Sequence, residues 1–248
     1  MPKYKALISY DGSSFSGWQS QINSLSVQDL IEKALATILR VPMEIIGSGR
    51  TDAGVHALGQ VGHFITEKEI ETEKVLYSLN SLLPKEIRIL DISEAPEDFH
   101  ARYSATGKIY HYHLHLDPIM DPFKRKYALH LQHKLDIAEL KAAASLFVGT
   151  HDFSSFANQQ SQGSASLDAV RTLHRLDVIE QPGGIRLEFE GTGFLYKMVR
   201  NIVGTLLEVG GGKRLSHEIP YILSAKDRKK AGRAAEPHGL FLVKVFYS

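Results

Sequence analysis

The strongest constraint on the fold is an order of periodicities that the chain repeats. Lys5 to Tyr10 alternates as a strand does, and Ser26 to Arg40 then carries Val27, Leu30, Ile31, Ala34, Leu35, Ile38 and Leu39 at helical spacing. Ser26 followed by Asp29 resembles a capping box at the start of that helix. Strands are expected at about 43–49 and 59–66, a helix near 71–82 closed by Pro84, and a strand near 87–94. The second half repeats the order. Ala105 to Leu116 reads as a long strand and Asp136 to Phe147 as a helix, and Val170–Ile179 with Ile185–Gly191 reads as a hairpin through Gln181-Pro182-Gly183-Gly184. Helices near 196–209 and 216–224 and a strand from Leu240 to Phe246 close the chain.

Each half is therefore β-α-β-β-α-β, the second with one extra helix. This is the split-βαβ pattern: an α+β fold with helices on one sheet face and the other face free for a ligand. The expected division is 1–104 and 105–248, and two such sheets side by side would give one long open surface, a common platform for RNA. The stretch Ser154 to Ser166 is too poor in apolar residues to pack and is expected to form a mobile loop.

Composition narrows the classes further. There is no cysteine, which excludes disulfides, thiolate nucleophiles and Cys-type zinc sites and agrees with a reducing cytoplasm. No uninterrupted run of about 18 apolar residues exists, so no membrane span is expected. The net charge of +1 does not announce a nucleic-acid binder. Its distribution says more: from Lys197 to Arg233 nine Lys or Arg (197, 200, 213, 214, 226, 228, 229, 230, 233) face three acids (208, 218, 227). That excess suits a phosphate-facing patch, or equally a solvated helical face.

The segment GSGRTDAGVH at 47–56 looks at first like a phosphate loop after a strand. Its glycines at 47, 49 and 54 do not make G-x-G-x-x-G, and no Lys-Ser or Lys-Thr pair follows. What remains is Asp52 in a tight turn two residues from Arg50, an arrangement better suited to chemistry by the carboxylate. Asp in such a turn is often structural, but Arg50, Thr51 and His56 are not required by a turn. Arg200, in YKMVRNIVGTLLEVG, borders an apolar helical stripe with Val203 and Leu207. It either snorkels or pairs with a buried carboxylate, for which Asp52 is a candidate.

In the strand IYHYHLH, His111, His113 and His115 share one face, and Tyr110, Tyr112 and Leu114 the other. Three alternating histidines can bind zinc, but in a line down a strand they stand about 6–7 Å apart, and no carboxylate is expected to accompany them. The tyrosines, on an open sheet face, offer a stacking surface for a base.

Taken together these residues resemble one family, the tRNA pseudouridine synthases that modify the anticodon arm at nucleotides 38, 39 and 40. The similarity covers nearly the whole chain: YDGSSFSGWQ at 10–19, SVQDLIEKAL at 26–35, GRTDAGVHALGQVGHF at 49–64, DFHARYSATGKIYHY at 98–112, HDFSSF at 151–156, MVRNIVGTLLEVG at 198–210 and GLFLVKVFY at 239–247. The resemblance implies two ferredoxin-like halves sharing an antiparallel sheet, a cytoplasmic homodimer with tRNA crossing both subunits, and no cofactor or metal. It implies that Asp52 is the catalytic aspartate, that Tyr110 stacks on the target base and helps move its proton, that Arg200 pairs with Asp52 as a catalytic partner, and that Arg50 fills the space left by the flipped nucleotide. Arg102 and the run Lys226, Arg228, Lys229 and Lys230 are then further candidate RNA contacts. Two rivals remain. A non-catalytic RNA-binding module leaves Asp52 without a task, and a metal hydrolase built on the histidine run would lose its activity to a chelator.

Overall fold

Alternation in strand β1 (Lys3–Tyr10) puts Tyr4, Ala6, Ile8 and Tyr10 on a buried face, and the elements that cover and extend this strand form the first of two compact units. The computed structural model describes residues 1–158 and 168–248. Contacts group Met1–Thr106 with Phe241–Ser248, and Gly107–Leu240 separately. The fold is mixed α+β with mostly antiparallel strand pairing.

In the first unit the elements are β1, α1 (Val27–Leu39), β2 (Ile46–Gly47), β3 (His56–Ile65), α2 (Thr72–Leu82) and β4 (Ile87–Glu94). The strand order is β4-β1-β3, with β2 also paired to β3 and all of these pairs antiparallel. Helix α1 starts where expected because Ser26 caps it: its hydroxyl oxygen accepts the Asp29 N–H at 3.1 Å and donates to the Asp29 carboxylate at 2.6 Å. It buries Val27, Ile31, Ala34 and Leu35, the i, i+4, i+7 stripe read from the sequence. Asn80 fastens α2 to β4 by bonding both the N–H and the C=O of Ile89.

The strand expected at 43–49 is only two residues long. The Ile45 N–H goes to the Glu32 carboxylate on α1 instead of to a neighbouring strand, which ends the ladder on that side. The chain's last strand, β10 (Leu240–Tyr247), joins this unit by pairing in parallel with the start of β3, Phe241 opposite His56 and Leu242 opposite Ala57.

The second unit holds β5 (Ala105–His115), β6 (Leu129–His130), α3 (Ile137–Ser145), β7 (Gly149–Asp152), β8 (Val170–Gln181), β9 (Gly184–Gly191), α4 (Met198–Gly210) and α5 (Ile219–Ala225). Its order is β5-β9-β8-β7, antiparallel throughout, with the short β6 alongside β5 in parallel. The β8–β9 hairpin turns at Pro182-Gly183, where Gly183 takes φ +75°, a value that disfavours a side chain. One face of the sheet is apolar: Tyr112, Leu187 and Phe189 are fully buried, and α3 and α4 add Leu140, Ala143, Ile202 and Leu206 to the same core.

Two expectations change here. Tyr112 lies in that core, its hydroxyl donating to the Glu236 carbonyl at 2.7 Å, so it offers no open stacking surface. The sheet buries Tyr112 because Leu187 opposite it on β9, and Val178 beyond that on β8, are apolar. Burial raises the Tyr112 pKa well above the usual phenol value, with the positive charge of Arg200 partly opposing the rise. Of the loop expected at 154–166, residues 154–156 form a short 3-10 turn with Phe153, Ser155 and Phe156 buried. Two phenylalanines flanking two serines supply enough apolar surface to pack against α4 and α5. Residues 159–166 of that stretch lie outside the described residues.

Candidate active site

The GSGRTDAGVH loop is clamped from both sides. Ser48 donates its N–H to Val61 at 2.7 Å, and its hydroxyl meets the Gln60 amide oxygen, also at 2.7 Å. Gln60 in turn donates to the Gly49 carbonyl at 2.9 Å. From the other side, the Thr51 carbonyl accepts the Trp18 N–H at 3.1 Å, and the Thr51 hydroxyl bonds the buried Tyr10 hydroxyl at 2.8 Å. His56 accepts the Gly12 N–H at 3.0 Å through Nδ1 and stacks on Phe241. Gly17, at φ +100°, approaches the Thr51 carbonyl so closely that a β-carbon would overlap it. The YDGSSFSGW segment thus serves as the bracket for this loop.

Held this way, the loop turns at Asp52, whose carbonyl accepts the Val55 N–H at 3.1 Å, with Gly54 at φ +78° completing the turn. Thr51 and Val55 are buried, Asp52 is half-buried and Arg50 is exposed. The loop backbone has few ways to move, so the position of the Asp52 carboxylate is largely pre-set. Sequence reading missed the locking residues Tyr10 and Gln60. Their signal was weak, since a Gln buried at 0% exposure in a strand looks like any other polar residue until its partners are known.

Also in this unit, Arg102 is exposed on the turn at 99–104 and lies 5.7 Å over the Tyr103 ring. The turn is tied to β3 by His63, whose Nδ1 accepts the Ala101 N–H at 3.1 Å. Burial, followed by the nearby His100 and Lys3, holds the His63 pKa down at about 4, which keeps the ring neutral as an acceptor.

In the second unit, Tyr110 on β5 is only 7% exposed and meets Phe194 edge-on at 5.0 Å. Arg200 is half-buried near the start of α4. Its Nε donates to the Ala235 carbonyl at 2.7 Å, and Ala235 returns its N–H to the Arg200 carbonyl at 2.9 Å. This is more than a snorkelling arginine. The segment 226–236 is strapped across α4 by every polar residue of the VRNIVGT run. Asn201 takes the Arg228 guanidinium at 2.7 Å, and Thr205 takes the Gly232 N–H at 2.9 Å. Gly204 leaves room for the Arg233 carbonyl. A buried Asn and Thr four apart on an apolar helix were the legible sign of such a strap.

The basic run is therefore unevenly available. Arg228 is half-buried and bonded to Asn201, whereas Lys226, Lys229 and Lys230 are all exposed, Lys226 in a surface pair with Asp152 at 2.8 Å. The Lys226 hydrogen bond, with that of Ser154, holds the Asp152 pKa at about 2. A carboxylate lowered in the folded state stabilises it above the unfolded value of about 4 and loses that contribution as pH falls towards 2. The melting difference between wild type and Asp152→Asn should accordingly be full at pH 6 and reduced to a small fraction at pH 2. A difference unchanged at pH 2 would assign the effect to something other than this pair.

The histidine run does have a carboxylate neighbour. Glu188 stands opposite His111 across β5–β9, 3.8 Å from its ring. The strand register supplies it, which one-dimensional spacing cannot show. Glu188 is bonded to Arg175 at 2.9 Å and to Arg186, so its charge is already answered. Among the described residues, no group of three or more His, Asp or Glu is placed to hold a metal. None of their helices is long and apolar enough to cross a membrane.

Comparison with known proteins agrees with this geometry. A family model described as tRNA pseudouridine synthase matches residues 6–104 and 143–248. The chain is 54% identical over 245 residues to tRNA pseudouridine synthase A 1 of Protochlamydia amoebophila, covering 98% of this chain and 96% of that protein. It is 45% identical to tRNA pseudouridine synthase A of Acetivibrio thermocellus, with both chains covered completely. With the Bacillus subtilis protein of the same name it shares 45% identity over 99% of each chain. The two segments that the family model matches contain both the bracketed Asp52 loop and the strapped helix of Arg200, and the chain belongs to the tRNA pseudouridine synthase family.

Proposed function

We propose that the protein isomerises uridine to pseudouridine at one or more of nucleotides 38, 39 and 40 in the anticodon arm of tRNA, with Asp52 as the catalytic carboxylate. The observation that carries this reading is the bracketed loop: a half-buried aspartate on an immobilised backbone, within the motif GRTDAGVH. In the reaction the N1–C1′ bond breaks, the base turns, C5 bonds to C1′, and the C5 proton is lost while N1 gains one. Nothing is added overall, so no cofactor is expected.

The Asp52 carboxylate attacks C1′ or the pyrimidine ring, or removes the C2′ proton to give a glycal; both routes need it ionised and shielded from water. In this reading Arg200 pairs with Asp52 and keeps it charged. Tyr110 stacks on the target base, offsetting part of the few kcal/mol that flipping costs, and Arg50 occupies the vacated stack. Arg102, Lys226, Arg228, Lys229 and Lys230 are assigned to RNA. Lys229 and Lys230 are the best placed of the C-terminal run, because Arg228 already serves buried Asn201 and Lys226 already pairs with Asp152 at the surface. The enzyme acts as a cytoplasmic homodimer.

Mapping pseudouridine in tRNA incubated with the pure protein and no added cofactor tests the whole reading. Product at 38–40 supports it, and tRNA left unmodified overturns it. Arg200→Lys keeps the charge and loses the planar fork along with the Nε bond to Ala235. Turnover at saturating tRNA should fall by roughly 10²-fold or more, in the range of a lost positioning contact. A near-normal rate would show that Arg200 does not orient Asp52.

A further inference from the structure

The loop between β5 and β6 carries the run Phe123-Lys124-Arg125-Lys126-Tyr127, which no role assigned so far uses. Three successive cations stand between two aromatics with no acid among the five. Phe123 is 86% exposed, Lys124, Arg125 and Lys126 are exposed, and Tyr127 is also on the surface. A single exposed Phe is unremarkable on a protein surface. An exposed Phe next to a run of three cations, on a loop that is built to hold its shape, is a different matter.

The loop is built that way. Asp121 accepts the Phe123 N–H on its side chain at 2.9 Å and the Lys124 N–H on its carbonyl at 3.0 Å. The Lys124 carbonyl then accepts the N–H groups of Tyr127 and Ala128, at 2.8 and 3.0 Å. At the stem, the ring of His115 bonds the Ile119 carbonyl and the ring of His130 bonds that of Asp117, both at 2.9 Å. His115, the last of the strand histidines, is therefore a loop anchor. The acid nearest in sequence, Asp121, is occupied in capping the turn.

We infer that this loop is a binding site for the phosphodiester backbone of tRNA outside the target nucleotide, with Lys124, Arg125 and Lys126 meeting phosphates and Phe123 packing on a ribose or base. The inference rests on the proposed function for its choice of polyanion. Cation runs interleaved with aromatics suit nucleic acid because phosphates and ring faces alternate along the strand. The loop begins beyond His115, five residues along β5 from Tyr110, or about 16 Å at 3.3 Å per residue. One nucleotide does not span that distance, so the contact belongs to another part of the tRNA and carries affinity rather than chemistry.

The test uses the full-length protein, a tRNA transcript and two variants, Lys124→Ala/Arg125→Ala/Lys126→Ala and Phe123→Ala, with melting curves confirming that both stay folded. Binding is measured over a series of KCl concentrations. The triple variant should raise Kd by about tenfold or more at low salt and reduce the slope of log K against log salt by about 2–3, the loss expected for three phosphate contacts. Phe123→Ala should raise Kd severalfold with no change of slope. A folded triple variant with wild-type Kd and slope overturns the inference. So does Phe123-dependent binding of the wild type to phosphatidylcholine vesicles containing phosphatidylserine, combined with an unchanged tRNA slope; that pattern would make the loop a lipid contact. Pseudouridine formation is scored in parallel. Product formed by a wild type whose slope ignores the loop sinks this inference alone. A loop-dependent slope without any product keeps the tRNA contact and sinks the catalytic reading.

Discussion

Asp52→Asn is expected to remove turnover, with tritium release from 5-tritiated uridine in tRNA falling by roughly 10⁴-fold or more. The amide keeps the shape of the carboxylate, and the bonds from Thr51 to Tyr10 and Trp18, from Ser48 to Gln60 and from the Asp52 carbonyl to Val55 still hold the loop. The lost property is charge. An amide neither attacks carbon nor takes a proton at neutral pH, so both chemical routes close together. Binding of tRNA should be retained or slightly tightened, since a negative charge near phosphates is removed. The informative comparison is therefore kcat against Kd. Measurable turnover by the variant, with tRNA bound normally, would mean that another group does the chemistry.

Gly204→Ala should produce the largest structural effect of a one-carbon change. The added methyl would overlap the Arg233 carbonyl, and both partners are backbone, so neither a rotamer change nor a small side-chain shift relieves it. Either α4 or the 226–236 strap must move. The cost is about 1–3 kcal/mol for overpacking, which at about 2–4 °C per kcal/mol in a chain of this size lowers Tm by about 2–12 °C. The strap also positions Arg200 through Ala235, so turnover should fall together with stability. Gly193→Ala is the control: its β-carbon would make only ordinary contact with the Arg171 side chain, and its Tm should stay near wild type. Equal melting temperatures for Gly204→Ala and wild type would show that the strap yields freely and does not brace Arg200.

Local features are legible in the amino-acid order itself. Ser26 and Asp29 announce the start of α1, Pro84 the end of α2, and Pro182-Gly183 the β8–β9 turn, because each acts within a few residues of itself. The motif around Asp52 is legible for the same reason, since its glycines and its turn are contiguous. The sequence by itself thus determined the α+β class, the family and the order of the longer elements, but not the short strands β6 and β7.

Tertiary structure alone decided what those elements meet. Glu32 ends β2 from thirteen residues away, Tyr10 and Gln60 lock the Asp52 loop from opposite sides of the chain, and β10 pairs with β3 across most of the sequence length. It turned Tyr112 of β5 inward, set Glu188 opposite His111, and tied Arg228 of the apparently uniform basic run to Asn201. The reason is the range of the interactions. Periodicity and capping are written in spacing along the chain, whereas a side chain's bond to a distant backbone exists only after folding has placed the two within about 3 Å.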